Sequence, residues 1–319
     1  MPEQTLIDCI GRTPLVALNR LFPQKRIKVL AKLEFFSPTG SIKDRIIRHI
    51  VLKAESEGRL RAGGTIVEGT SGNTGAAVAM IAALRDYRSI VVMPEKASRE
   101  KQEAAKALGA EVIVCPEGID YIGKALTVAE GIPGAFCINQ YDNPDNIEAH
   151  YLETGPEIWA DTGGRLDYIV AGAGTGGTVS GIARYLKERD PRIKVVVPDP
   201  EGSVYGPYFR TGKIDAGPHG KYLVEGVGKN HLVGCMDFAV IDEVMTFRDS
   251  EAFHAAKQLA RHEGILAGGS SGANIWACQK LAAAIEGDAV IVTLLPDSGL
   301  KYLTKLYDDQ WYAAHREES

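Results

Sequence analysis

The sequence predicts a doubly wound α/β protein built as two sheets with helices packed on their faces. Three observations carry that prediction. Strand-like and helix-like stretches alternate along almost the whole chain, several strands are unbroken Val/Ile runs, and glycine-rich turns recur where a strand hands over to a helix. Continuous apolar runs fit parallel strands covered on both faces, whereas a strand with one wet face would alternate. In order, Ile27–Leu33 reads as a strand and Ile42–Glu57 as an amphipathic helix. Strand Thr65–Val67 precedes the apolar helix Gly75–Asp86, strand Ser89–Met93 precedes helix Ser98–Leu108, and strand Glu111–Cys115 precedes helix Tyr121–Glu130. Strand Tyr168–Ala171, helix Thr178–Arg189 and strand Lys194–Val197 follow. Helices Ser250–Glu263 and Ser271–Ile285 and strand Ala289–Leu294 complete the pattern. Turn residues crowd Asn139–Asn146, which sets a boundary near residue 150 and divides the chain into regions 1–150 and 151–319. The stretch Gly202–Gly220 holds five glycines and two prolines with little periodicity, and reads as a long loop over the active site.

Composition narrows the function classes. A chain of 319 residues with 45% hydrophobic and 24% charged residues has ample core for two domains. A net charge of −5 gives no electrostatic case for nucleic acid or an anionic membrane surface. The longest apolar runs are too short to span a bilayer. The five cysteines are scattered without CxxC spacing, and Met1-Pro2-Glu3-Gln4 opens without a basic, apolar leader. Reduced thiols in a cytoplasmic protein are expected, with no metal site.

Four loops could carry chemistry. Thr70-Ser71-Gly72-Asn73-Thr74-Gly75, between a strand and a buried helix, offers backbone N–H groups and short donors to a carboxylate or phosphate. Nothing in it is a strong base. In Ser41-Ile42-Lys43-Asp44-Arg45, Ser41 is a natural N-cap and sets Lys43 in the first turn of a helix. The positive helix end lowers an amine's pKa, which suits a nucleophile that must be neutral, although this segment alone reads first as a solvated surface lysine.

Gly172-Ala173-Gly174-Thr175-Gly176-Gly177 fits G-x-G-x-x-G between a strand and a helix, and Asp199 stands 22 residues beyond Gly177. That meets the dinucleotide fingerprint, so an NAD-dependent oxidoreductase is one reading. Thr175, Gly176 and Thr178 make the loop suit a smaller phosphate equally well. Gly268-Gly269-Ser270-Ser271-Gly272 opens another helix and reads alternatively as a cap with glycines for close packing. Leu295-Pro296-Asp297-Ser298-Gly299 reads as a turn after the last strand.

Taken together, the lysine motif at Ser41–Arg45, then Thr70–Gly75, Gly174–Thr178 and Gly268–Gly272, in that order, resemble the pyridoxal-phosphate β-replacement enzymes. These are the cysteine synthases and cystathionine β-synthases, of tryptophan-synthase-like fold. The resemblance extends from Ile10-Gly11-Arg12-Thr13-Pro14 to about Trp311. It implies pyridoxal 5′-phosphate as cofactor, with Lys43 forming the Schiff base and shuttling the Cα proton. It implies Asn73 beside the cofactor's 3′ oxygen, Gly174, Thr175, Gly176, Gly177 and Thr178 around its phosphate, and Ser270 facing the pyridine nitrogen. Thr70, Ser71, Thr74 and Gln140 would hold the substrate carboxylate, and Gly226 would line the site. The small domain, within 1–150, would be mobile, with the segment before Ser41 packed on the larger one.

Within the family the likeness divides. Asn143-Pro144 and Thr154-Gly155-Pro156-Glu157-Ile158-Trp159 resemble cysteine synthases. Pro200-Glu201-Gly202-Ser203, Val224–Gly228, Leu295-Pro296-Asp297-Ser298 and Tyr302-Leu303-Thr304-Lys305 resemble cystathionine β-synthases. Gly69 stands where cysteine synthases carry proline. The implied reaction is β-replacement on serine or an O-activated serine through an α-aminoacrylate, with a thiol or amine amino acid as nucleophile. Tyr205, Tyr208, Phe209 and Arg210 would offer such a partner aromatic surface and a cation. O-Acetylserine sulfhydrylase with sulfide, and a serine/threonine dehydratase, are the alternatives. The resemblance also implies a homodimer acting on small amino acids.

Overall fold

The computed structural model describes residues 4–95, 97–214, 217 and 219–315. Its strands are β1 (Leu15–Ala17), β2 (Ile27–Leu33), β3 (Thr65–Gly69), β4 (Arg88–Pro94), β5 (Glu111–Cys115), β6 (Phe136–Cys137), β7 (Tyr168–Val170), β8 (Lys194–Pro200), β9 (Glu243–Phe247) and β10 (Ala289–Leu295). They form a six-stranded sheet of order β1-β2-β10-β7-β8-β9 and a four-stranded sheet of order β5-β4-β3-β6. Among the described strands only β1 and β2 pair antiparallel; β10 runs parallel to β2 in full register from Ala289–Ile27 to Leu295–Leu33.

Helices cover both sheets, as the unbroken apolar strands require. Those before residue 165 are α1 (Lys43–Ser56), α2 (Thr74–Leu84), α3 (Arg99–Ala107), α4 (Tyr121–Glu130), α5 (Asp145–Ala149) and α6 (Gly155–Thr162). Beyond it come α7 (Gly177–Arg189), α8 (Tyr205–Thr211), α9 (Asp249–Glu263), α10 (Gly269–Ala284) and α11 (Asp309–His315). Helix α2 has almost no polar face, and its first nine residues are all buried. A helix apolar all round belongs in a core; here α1 and the four-stranded sheet enclose it, with Ile47, Ile50, Val78 and Ile81 in one cluster.

Sheet order places the loops. In the six-stranded sheet the chain winds from β7 outward through β8 and β9, while β10 lies on the other side of β7. In the four-stranded sheet it winds from β3 through β4 and β5, while β6 lies on the other side of β3. The crevice at the carboxyl ends of strands where the winding reverses is where open α/β sheets bind ligands. The loops after β7 and β10 meet at one such point, and those after β3 and β6 at the other.

Four expectations need correction. Helix α1 begins at Lys43, with Ile42 and not Ser41 at the capping position. Ser41 is instead bridged to Asp297, and Ile42 N donates to Pro296 O at 2.8 Å, so the β10 loop fixes where the helix can start. The stretch Gly202–Gly220 is not a continuous loop, because α8 lies within it; its residues 215, 216 and 218 lie outside the described residues. The aromatic groups of α8 do not form a free surface: Tyr205 is buried, and Tyr205 and Tyr208 pack on Phe238 with ring centroids 5.8 and 4.8 Å away. The fourth is the acidic residue of the dinucleotide reading, Asp199, which is buried. Residues Met1, Pro2 and Glu3, read above for a leader, also lie outside the described residues.

Candidate active site

Lys43 sits on a pocket at the reversal point of the six-stranded sheet. The pocket is lined by Lys43 with Gly172, Gly174, Thr175, Gly176 and Thr178 from the β7–α7 loop. Gly226 and Val227, Asn274 of α10, and Leu294 and Pro296 from the end of β10 close it. Desolvation lowers the basicity of the Lys43 amine, partly offset by the charges of Asp297 and Glu34. An amine so placed is more readily neutral, the state a nucleophile needs.

At its glycines the β7–α7 loop has no room for side chains. A Cβ on Gly174 would lie 2.5 Å from Gly226 O, and one on Gly176, where φ is +82°, would lie 2.6 Å from Met236 Cα. A Cβ on Gly177 would collide with Asn146 Oδ1 at 2.1 Å. The loop therefore presents bare backbone at the N-terminus of the 13-residue helix α7, an arrangement that binds phosphate. Thr178 Oγ1 is 3.1 Å from His150 Nε2, and burial, with Arg45 and Lys43 nearby, holds that imidazole well below its usual pKa. Tyr205 OH donates to Gly174 O at 2.9 Å and fixes the turn from outside.

The dinucleotide reading loses its acidic residue. Asp199 is 1% exposed, and its Oδ2 accepts from Gly206 N at 2.8 Å, at the start of α8. A carboxylate engaged in holding a helix and sealed from solvent cannot receive a ribose.

The anion loop lies at the second reversal point. Thr70 Oγ1 accepts from Gly72 N at 3.1 Å, which turns the chain into α2, and Thr74 Oγ1 donates to Gln140 Oε1 at 2.8 Å. Asn146 joins the two sites: its Nδ2 donates to Gln140 O at 2.7 Å and to Thr175 Oγ1 at 3.1 Å. Ser71, between Thr70 and Thr74 in sequence, is half-buried. Among the expected residues, Lys43, Gly174, Thr175, Gly176, Thr178 and Gly226 line the pocket itself. Ser270, at the start of α10, adjoins it: a Cβ on Gly226 would lie 3.8 Å from Ser270 Oγ. Thr70, Ser71, Asn73, Thr74 and Gln140 form the neighbouring cluster, and Gly177 backs the loop.

Sequence reasoning placed the turn after β10 but missed its contacts at the site. Asn73 Nδ2 donates to Asp297 Oδ2 at 2.8 Å, Tyr302 OH donates to the same oxygen at 2.7 Å, and Lys301 Nζ donates to Asn73 Oδ1 at 2.7 Å. Asp297 is also among the charges that bear on Lys43. The available signal was an acidic residue directly after a parallel strand, where ligand crevices form. No group of three or more His, Cys, Asp or Glu side chains suited to a metal occurs among the described residues.

The pocket fits pyridoxal phosphate on its own features: a desolvated lysine, a bare glycine cradle at a helix N-terminus, and a hydroxyl beyond Gly226. The profile of the pyridoxal-phosphate dependent enzyme family matches residues 6–297. The chain is 43% identical to the cystathionine beta-synthase of Apis mellifera over 98% of its own length and 62% of that protein. It is 37% identical to cysteine synthase 1 of Neurospora crassa over 96% of its length and 84% of that protein. The crystal structure of O-ureido-L-serine synthase superposes with a TM-score of 0.88 at 35% identity, covering 98% of this chain and all of that one. The chain spans between 55% and 64% of the length of the cystathionine beta-synthases it resembles. With its two parallel sheets and its pocket at the β7–β10 reversal, this chain belongs to the pyridoxal-phosphate dependent enzyme family and has the tryptophan-synthase-like fold.

Proposed function

We propose that this chain catalyses a β-replacement: serine or an O-activated serine loses its β-substituent, and a thiol or amine amino acid adds in its place. One observation carries the reading. A lysine of lowered basicity faces a glycine-rich cradle suited to phosphate, with a hydroxyl-rich loop at the adjacent reversal point.

In this reading Gly174–Thr178 hold the cofactor phosphate, Asn73 and Ser270 flank its ring, and Lys43 carries it. When bound, the cofactor withdraws electrons from the substrate Cα and so makes its proton labile. The chain's own residues do the rest. Thr70, Ser71, Thr74 and Gln140 hold the substrate carboxylate and orient Cα towards the Lys43 amine, which takes and returns the proton at Nζ. A neutral hydroxyl at Ser270 supplies no positive charge to the ring and limits how far electrons are drawn into it, which favours loss of a β-substituent. The region within 1–150 that carries the anion loop would then act as a smaller, mobile domain. We further read the protein as a cytoplasmic homodimer, supported by the family likeness and by five free cysteines.

The test is a competition assay giving the holoenzyme O-acetylserine with sulfide, homocysteine and small amino acids together, with products read by mass spectrometry. A thioether or amine adduct is expected. Cysteine as the only efficient product would make the enzyme a sulfhydrylase, and ammonia with a keto acid would make it a dehydratase. Borohydride reduction should fix the cofactor on Lys43; an adduct on another lysine overturns the site.

A further inference from the structure

Behind the anion loop lies a carboxyl group that the proposed reaction does not use. Glu68, at the end of β3, is 1% exposed, and Gln140 and Thr74 are equally buried at 1% each. The amide of Gln140 and the main-chain N–H groups of Gly69, Asn139 and Gln140 face the Glu68 carboxyl. None of them closes to hydrogen-bonding geometry: both Glu68 oxygens, Gln140 Nε2 and Asn139 Oδ1 are buried without a partner. At its other end, Gln140 Oε1 accepts the Thr74 hydroxyl at 2.8 Å. Three side chains thus form a row from a sealed carboxyl to the proposed substrate-carboxylate subsite.

A row of this kind has two polarities. With Glu68 ionised, the Gln140 NH₂ donates to it, and Gln140 Oε1 takes the Thr74 proton, which is then lost to any ligand. With Glu68 protonated, its O–H requires an acceptor, so the amide turns by half a rotation. The Gln140 NH₂ then donates to Thr74 Oγ1, and the Thr74 O–H is free to donate into the site. The half-turn exchanges the amide O and N and moves little else.

We propose that Glu68 is a positioning residue which, through Gln140, decides whether the Thr74 hydroxyl donates to the substrate carboxylate. The proposal rests on the reading of Thr70–Thr74 and Gln140 as the carboxylate subsite. As placed, the amide has the polarity of the ionised carboxyl, with Oε1 accepting from Thr74; burial pushes the Glu68 carboxyl up to about 8, so near neutral pH its proton is held and the half-turned, donating polarity is favoured. The groups around it keep their charge through that range. Val91 of β4 stands beside it in register, and burial first, then Glu68, pushes the Cys137 thiol of β6 up to about 12. Tyr141, whose OH is 3.4 Å from Tyr121 OH of α4, is raised well above its usual value by burial, Tyr121 and Glu68. Raising the pH through about 8 therefore ionises Glu68, reverses the amide and withdraws one donor from the subsite.

The experiment measures the affinity of the holoenzyme for propionate, which has a carboxylate and no amine to titrate, by calorimetry. Measurements extend about 1.5 units either side of the Glu68 midpoint. Wild type should weaken roughly tenfold towards high pH, the worth of one hydrogen bond to a charged group. Glu68→Gln, whose amide donates to Gln140 at every pH, should stay tight throughout. Equal pH dependence in wild type and Glu68→Gln, or none in wild type, overturns the relay. Thr74→Val separates the two claims: if it binds propionate as tightly as wild type below the Glu68 midpoint, the subsite reading itself fails. If it binds weakly at every pH while wild type and Glu68→Gln behave alike, the subsite stands and the relay falls.

Discussion

Single glycines decide what the β7–α7 loop can hold. Gly174 and Gly176 exclude a side chain for different reasons: a Cβ on Gly174 would meet Gly226 O, whereas Gly176 adopts a left-handed φ of +82° as well as facing Met236. Gly174→Ala should push the Gly226 segment outward, costing about 1–3 kcal/mol by overpacking. It should also weaken retention of the cofactor, because Gly226 lines the same pocket. Thermal unfolding of the apoenzyme reads the first effect, and cofactor absorbance after dialysis reads the second. Unchanged retention would take Gly174 out of the cradle. This loop was legible in the sequence because glycine is the one residue whose absence of side chain is itself a message. Asp297 and Lys301 were not, since a carboxylate in a turn and a lysine beyond it carry no local mark of their partner Asn73, more than two hundred positions away.

Elements were legible where their own pattern specified them. Strand Glu111–Cys115, strand Ile27–Leu33 and helix Tyr121–Glu130 match their sequence-predicted bounds, because an unbroken apolar run or a helical period needs no distant partner to declare itself. The two-residue β6 owes its existence to pairing with Ile66 and Val67 of β3, so no local signal announces it. The helical run from Asp145 to Thr162, with a π-helical segment at His150–Thr154, hides behind turn-like Asn143-Pro144 and Gly155-Pro156. What places α1, and with it Lys43, is a buried ion network. Arg45 and Glu34 are fully buried; Arg45 Nε donates to Glu34 Oε2 at 2.7 Å, and its Nη1 and Nη2 donate to Glu157 at 2.7 and 2.8 Å. Arg45→Met would leave Glu34 buried and uncompensated, and should cost about 3–5 kcal/mol. The network also sets an acid limit. Despite partial burial, hydrogen bonds and charge from Arg45 hold the Glu157 carboxyl down at about 2. Unfolded, that group titrates near the ordinary value, so its contribution to stability is present above about 4.5 and is lost as pH falls through about 2. In wild type, melting temperature should decline over that window. Arg45→Met should flatten the decline, and an unaltered acid profile in that variant would remove the network from this role.

At the scale of the whole molecule, the two sheets are tied together around the site by long side chains. Lys101, from α3 on the four-stranded sheet, pairs with Glu225 beside Gly226, and Lys305 reaches the other oxygen of Glu225 at 2.6 Å. Lys101 also lies 5.0 Å above the ring of Tyr302, and Lys301 holds Asn73 from the same segment. Its ammonium stands 3.8 Å from where a Cβ on Gly72 would be, so one cation serves both the clasp and the anion loop. A carboxylate arriving at Thr70–Thr74 would draw this lysine and the start of α2 together, since the helix N-terminus and the ammonium both attract it. In the proposed reaction, closure of the smaller unit over the pocket would then follow from ligand charge and would keep water from the reacting carbon. Lys101→Met retains the stem that packs on Tyr302 and removes only the charge. It should raise KM for the amino-acid substrate about tenfold, as expected for losing a charge-assisted contact, with a smaller change in kcat. Hydrogen exchange in α3 and in residues 299–305 should quicken in the ligand-free variant, because both sides of the clasp are released. Wild-type KM together with wild-type exchange would show that the pair decorates the cleft without closing it.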